Sequence, residues 1–178
     1  MPSNRPDVAP EVKRQEILTA ARTVFFNDGF DKASVARIAR AAGVAPNTLY
    51  WYFDSKDALF AAVMEELMGL FFLGLKSRDP AEPLDDTLHW VLKGMQAARP
   101  LIVTLHEKAQ TSAPIAALHE RFHAELAELL DGMLAERAMD PARIPAFIQI
   151  ASFVVEGLLM HDLPAKARDA VIRELATF

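Results

Sequence analysis

A chain of 178 residues holds one compact domain, or a small domain joined to a modest second one, and two large domains are excluded. Hydrophobic residues make up 52% and charged residues 24%, with only seven glycines, so neither a disordered polymer nor a collagen-like repeat fits. The net charge of −5 hides an asymmetry: residues 1–53 carry seven Lys/Arg against five Asp/Glu, and the remainder twelve against nineteen.

The absence of cysteine removes disulfides, thiol nucleophiles and thiolate metal sites together, and it suits a reducing cytosol. Met1 to Val12 carries two acids and three prolines without an apolar core, so it does not read as a signal peptide. The longest apolar run, Leu67 to Leu75, has nine residues against the roughly 20 of a spanning helix, so no membrane segment is expected. A cytoplasmic location is the resulting expectation.

Apolar residues recur at three- and four-residue spacing with almost no alternation, which predicts an all-α chain of about nine helices. From Glu11, the face Val12, Ile17, Ala20, Ala21, Val24 and Phe25 predicts a first helix that stops at Asn27-Asp28-Gly29. Ser34 is a fitting N-cap for a short helix over 35–42, Gly43 stops it, and Pro46 suits the first turn of the next. Ser55 caps a fourth helix running to about Leu75, followed by the connector Arg78-Asp79-Pro80 and Pro83. Five further runs cover 84–99, 101–110, 115–139, 142–160 and 165–176, with Pro100, Pro114, Pro141, Pro145 and Pro164 at their starts.

Between Ser34 and Phe53 the pattern of short helix, tight turn and second short helix has helix-turn-helix spacing. Val35, Ile38, Ala39, Val44 and Leu49 take inward positions, which leaves Pro46, Asn47, Thr48, Tyr50 and Trp51 near the outer face of the second helix. Asn pairs with adenine and Thr meets the thymine methyl, whereas Tyr and Trp donate to phosphate oxygens. Lys56 places a cation in the first turn of the fourth helix, against the macrodipole at about 0.3–1 kcal/mol, which a phosphate would offset. An ordinary solvated lysine is the alternative.

The stretches Ser34-Val-Ala-Arg-Ile-Ala-Arg-Ala-Ala-Gly-Val and Asn47-Thr-Leu-Tyr-Trp-Tyr-Phe-Asp-Ser-Lys56 resemble the signature of tetracycline-repressor (TetR) family regulators, over about Glu11 to Glu65. The resemblance implies a homodimeric, all-helical repressor with a helix-turn-helix DNA-binding domain over residues 1–54 and a helical effector-binding and dimerisation domain over 55–178. Its partners would be a near-palindromic operator, a second copy of the chain and a small-molecule effector. It carries DNA contacts over to Ser34, Arg37, Ala45, Pro46, Asn47, Thr48, Tyr50, Trp51, Tyr52 and Lys56. Departures are Ala45 where the family often has a capping Ser, Pro46 at a frequently polar position, and Trp51 where His is common.

His119-Glu120-Arg121-Phe122-His123 satisfies the zinc-hydrolase pattern H-E-x-x-H. Without a credible strand or a downstream ligand motif its context argues against catalysis, so no enzyme, cofactor or metal site is expected. Three readings stay open for the two histidines: core flanks, effector contacts, or contacts to an effector's metal ion. A helical protein-interaction scaffold is the other alternative function.

The expected effector pocket gathers Phe71, Trp90, Met95, His106, His119, Phe122, His123 and Phe147 from the middle helices, with Trp90 pointing away from the inner face of its own helix. Two apolar stripes on the run Pro145 to Met160 predict burial on two sides, one of them against a second subunit. The expected dimer interface comprises Ala151, Val155, Leu158, Leu159, Val171 and Leu175, with Phe178 extending the surface and Gly157 allowing close approach.

Overall fold

The computed structural model describes residues 9–177, so the expectations for the first eight residues and for Phe178 lie outside the described residues. Within them the chain forms nine α-helices and no strand: α1 (Pro10–Asp28), α2 (Val35–Ala41), α3 (Pro46–Tyr50), α4 (Lys56–Lys76), α5 (Leu84–Ala97), α6 (Arg99–Ala109), α7 (Ala113–Glu136), α8 (Ile144–Met160) and α9 (Ala165–Ala176).

Local chemistry sets most of the boundaries. Gly29 ends α1 at φ +75°, its N–H donating to the Phe25 carbonyl. Ser34 Oγ accepts the Arg37 N–H at 3.2 Å, and Ser55 Oγ accepts that of Ala58 at 3.0 Å, which satisfies one orphan donor at each N-terminus. Gly43 makes the turn between α2 and α3 at φ +66°, and the Val44 N–H closes back onto the Ala39 carbonyl at 2.9 Å. Prolines occupy the first turns of α6, α7 and α8.

α7 stops at Glu136 rather than running to Met139. Ala138 turns left-handed at φ +57°, and the Met139 N–H reaches back to the Leu134 carbonyl. Arg137 then ties this end to the connector before α5, donating to the Glu82 carbonyl and to Thr87 Oγ1.

Two apolar cores result. The first holds α1, α2 and α3 onto the N-terminal half of α4 through a cluster of Phe25, Phe30 and Phe60, with Phe60 edge-on to the other two at 5.3 and 5.1 Å. It also takes in Leu101 and Leu105 of α6 and Ile115 and Leu118 of α7, so packing crosses the boundary expected at residue 54. The second core joins Leu88 and Leu92 of α5, Leu134 of α7, the inner face of α8, and Ile172 and Leu175 of α9.

Three expectations change here. Ala151, Val155, Leu158, Leu159 and Leu175 are buried in the second core of the same chain, because α5 and α7 already cover that face of α8 and α5 packs on α9. Val171 is half-buried against the same core. The large apolar residues that α8 leaves exposed are Ile150, Phe153 and Met160, with the half-buried Gly157 on the same stripe. Phe147 is likewise a core residue, 2% exposed. Finally, α4, at 21 residues, is long and apolar enough to cross a membrane, a length that counting only its uninterrupted apolar run underestimates. Its Leu59, Phe60, Val63, Met64, Phe72 and Leu75 are buried inside the fold.

The ring cluster carries a direct test. Phe60→Ala should destabilise the chain by about 3–5 kcal/mol, the cost of emptying a fully buried aromatic site, as read by urea unfolding. A loss under about 1 kcal/mol would mean that the cluster does not hold α4 to the N-terminal helices.

Candidate nucleic-acid interface and cavity

The α2–α3 unit leaves a polar and aromatic edge in solvent. Pro46 and Asn47 are exposed, Tyr50 is 50% exposed, and Trp51, at the C-terminal end of α3, is 88% exposed. An indole left that open has no packing role in the subunit. Thr48 is half-buried, and Leu49 anchors the helix with no exposure at all. Ala45 provides no side-chain cap for α3, as its residue type dictates.

Several members of the expected DNA-contact set have structural work of their own. Ser34 caps α2, and Arg37 directs its Nε to Asp28 Oδ2 at 2.9 Å, tying α2 to the end of α1. Tyr52 is partly buried and packs against the first core. Lys56 is not a freely solvated lysine: its Nζ lies 4.1 Å from the centroid of Phe30, and Lys108 Nζ approaches the same ring at 5.1 Å. Burial pushes the Lys56 ammonium below its ordinary range, Asp31 opposes that shift, and Lys108 adds to it. The ring face and Asp31 therefore compensate for the cation at the α4 N-terminus, where sequence reasoning invoked a phosphate.

Between α4, α5, α6, α7 and α8 lies a cavity of about 340 Å³, within the size range of drug-like ligands. It brings together Phe71, Trp90, Met95, His106, His119, Phe122 and His123, seven of the eight expected pocket residues. Phe147 stands apart, lining a smaller void of about 60 Å³ in the second core. The indole of Trp90 stacks on Phe71 at 5.7 Å between centroids and 23° between planes. Gly74 makes this possible, since a Cβ there would stand 2.7 Å from the indole. Sequence reasoning missed Phe26, Met64, Leu67, Met68, Leu70, Ile102, Leu105 and Glu156 in the lining. For Glu156 a signal was present, because it is the one charged residue in the sequence of α8.

Three imidazoles form a row along one wall. His119 Nε2 lies 3.1 Å from His106 Nδ1 and 3.1 Å from His123 Nε2, while His123 Nε2 is 3.7 Å from Glu156 Oε1. Burial, reinforced by the neighbouring imidazole, lowers the affinity of His106 and of His119 for protons, and Glu156 partly opposes both shifts. Glu120, the would-be catalytic carboxylate of the H-E-x-x-H pattern, is exposed. Among the described residues, no group of three or more His, Asp or Glu side chains is arranged to hold a metal ion.

Comparison with known proteins bears both on the α2–α3 unit and on the arrangement of helices around the cavity. Residues 17–63 match the family described as bacterial regulatory proteins, tetR family. The chain is 32% identical over 92 residues to the HTH-type transcriptional regulator RutR of Escherichia coli K12, across 51% of this chain and 43% of RutR. The matched stretch thus spans less than half of that curated relative.

The fold is similar to that of a transcriptional regulator from Rhodococcus sp. Rha1, with a TM-score of 0.74, 17% identity, and 92% of each chain covered. It is also similar to Salmonella enterica GusR, with a TM-score of 0.72, 21% identity, and 97% of this chain and 94% of GusR covered. The likeness to the tetR family of bacterial regulatory proteins is carried by residues 17–63, and the likeness of fold extends over nearly the whole chain.

The histidine row predicts a pH dependence of stability. Because folding lowers the proton affinity of His106 and His119, the unfolded chain binds more protons just below the ordinary imidazole value of about 6.5. Stability should therefore be full above that value and fall as the pH drops through the lowered values. Thermal denaturation followed from about pH 7.5 to about 5.5 should show this loss, and a shallower one in His119→Gln. Equal slopes in the two proteins would remove His119 from the account.

Proposed function

We propose that the chain is a DNA-binding transcriptional regulator, a homodimeric repressor that leaves a near-palindromic operator when a small molecule occupies the cavity. The observation that carries this reading is the exposed face of α3, Asn47, Tyr50 and Trp51, inside the stretch that matches the tetR family. Asn47 and Thr48 read base edges, whereas Tyr50, Trp51 and Lys56 hold phosphates. Lys56 would leave the face of Phe30 to do so, a movement of a flexible side chain over a short distance.

The exposed stripe Ile150, Phe153, Gly157 and Met160 on α8 supports the dimer, since its spacing of three, four and three residues lies along one helix face. A methyl group at Gly157 would meet nothing within 4 Å, which leaves room for a partner helix to approach. An isologous contact along this stripe sets the separation of the two α3 helices at about one turn of duplex, roughly 34–36 Å.

Release rests on α6. Its Ile102, Leu105 and His106 line the cavity, its Leu101 and Leu105 belong to the first core, and its Lys108 reaches Asp31 at 3.7 Å and the ring of Phe30. A ligand that displaces α6 therefore acts on the loop that introduces α2. It releases DNA by its difference in affinity for the two dispositions of the N-terminal helices, and by no more than that.

Selection from genomic fragments at moderate salt should recover a shared inverted repeat, and failure to recover one would overturn the proposal. On that operator, Asn47→Ala and Thr48→Ala should relax base preference. Lys56→Ala should weaken all sequences alike and reduce the salt slope by about one.

Sedimentation tests the dimer separately. Phe153→Asp should give a folded monomer, whereas Val155→Asp should unfold the chain by burying a charge in the second core. A folded dimer of the Phe153→Asp variant would place the interface elsewhere.

A further inference from the structure

We infer that the cavity selects lipophilic organic cations, molecules with an aromatic body and a single positive charge. This rests on the reading of the cavity as the effector site and adds the chemistry of its ligand.

The argument is one of charge sign. The side chains that line the cavity include no Lys and no Arg, and their one carboxylate is Glu156. Its nearest basic neighbour is His123, with Nε2 at 3.7 Å from Oε1, beyond the reach of a normal hydrogen bond. Behind the wall, Arg78 lies over Trp90, 5.3 Å from the ring centroid, and its charge is already met by Glu82. α1 contributes Phe26, α4 contributes methionine, leucine and Phe71, and α5 contributes Trp90 and Met95 among residues that do not titrate. α6 contributes His106, α7 contributes His119 and His123, and α8 contributes Glu156. Burial keeps His106 and His119 from supplying a compensating positive charge near neutral pH.

An anion would meet Glu156 with no cation to offset it, and a neutral hydrocarbon would strip water from the carboxylate and return nothing. A cation satisfies the carboxylate. Its body meets the aromatic wall of Phe71 and Phe122, whose quadrupoles attract positive charge, and the polarisable sulfurs of Met64, Met68 and Met95, while the ring of Trp90 is taken by Phe71 and Arg78.

Tetraphenylphosphonium and tetraphenylborate, ions of nearly the same shape and opposite charge, test this with the full-length protein by isothermal titration calorimetry near pH 8, above the ordinary imidazole range. The phosphonium should bind at least about tenfold more tightly, as two unlike charges a few ångströms apart in a partly buried site require. Glu156→Gln should bring the two affinities to within about threefold of one another, and Glu156→Asp, which keeps the charge, should retain the preference. Glu120→Gln, which removes an exposed charge from the neighbouring helix, should leave the preference intact.

Tighter binding of the borate, binding of neither ion, or an unchanged preference in folded Glu156→Gln overturns the inference. Operator binding is measured separately. A protein that holds its operator and releases it to an anionic or neutral compound keeps the proposed function and loses this inference, and a protein that binds the phosphonium but no DNA does the reverse.

Discussion

The ring of Phe30 is the contact on which the arrangement of this molecule depends. Its edge and faces meet Phe25 of α1 and Phe60 of α4, and the ammonium groups of Lys56 on α4 and Lys108 on α6 lie over it. One side chain, in the loop between α1 and α2, thus touches α1, α4 and α6. Two cations on one ring repel each other, and Asp31 beside them moderates that repulsion. Such a contact is held by packing but poised by charge.

The cavity sits where the two cores stop sharing helices. Leu105, Leu101 and Leu118 face the first core, Leu88, Leu92 and Phe147 face the second, and the space between them is bounded by side chains too bulky or too polar to close it. Trp90 stands off from the inner face of its own helix because Gly74 gives the indole a seat on α4. The histidines occupy the same seam. An imidazole can hydrogen-bond another imidazole while presenting an apolar edge, so a row of three lines a wall that is neither core nor solvent.

Helix α8 shows how packing within one chain narrows the face that is left to solvent. Both of its apolar stripes are real, but neighbours within the chain claim most of each, and the remainder that faces outward is a narrower line through Phe153 and Gly157. The same division applies to the H-E-x-x-H pattern on α7. Two histidines one turn apart share a face, and the glutamate one residue after the first is turned some 100° away, into solvent.

Local chemistry in the sequence determined the helical class, the number and order of the helices, their caps and turns, and the outward residues of α3, since periodicity, Ser and Gly act within a few residues of themselves. It also named seven residues of the cavity wall, because long-lived apolar and aromatic spacing marks a face. Tertiary structure decided which neighbour covers each face. Ala151 and Val155 read equally well as core or interface until α5 and α7 are packed on them, and Glu156 is one charge on an apolar helix until three histidines from two other helices converge beside it. Lys56 reads as a cation with no partner inside the fold until Phe30, 26 positions earlier, is found beneath it. Spacing along a helix fixes a direction in space, but what waits in that direction is set by residues far away in the chain, through contacts that form only when the whole fold closes.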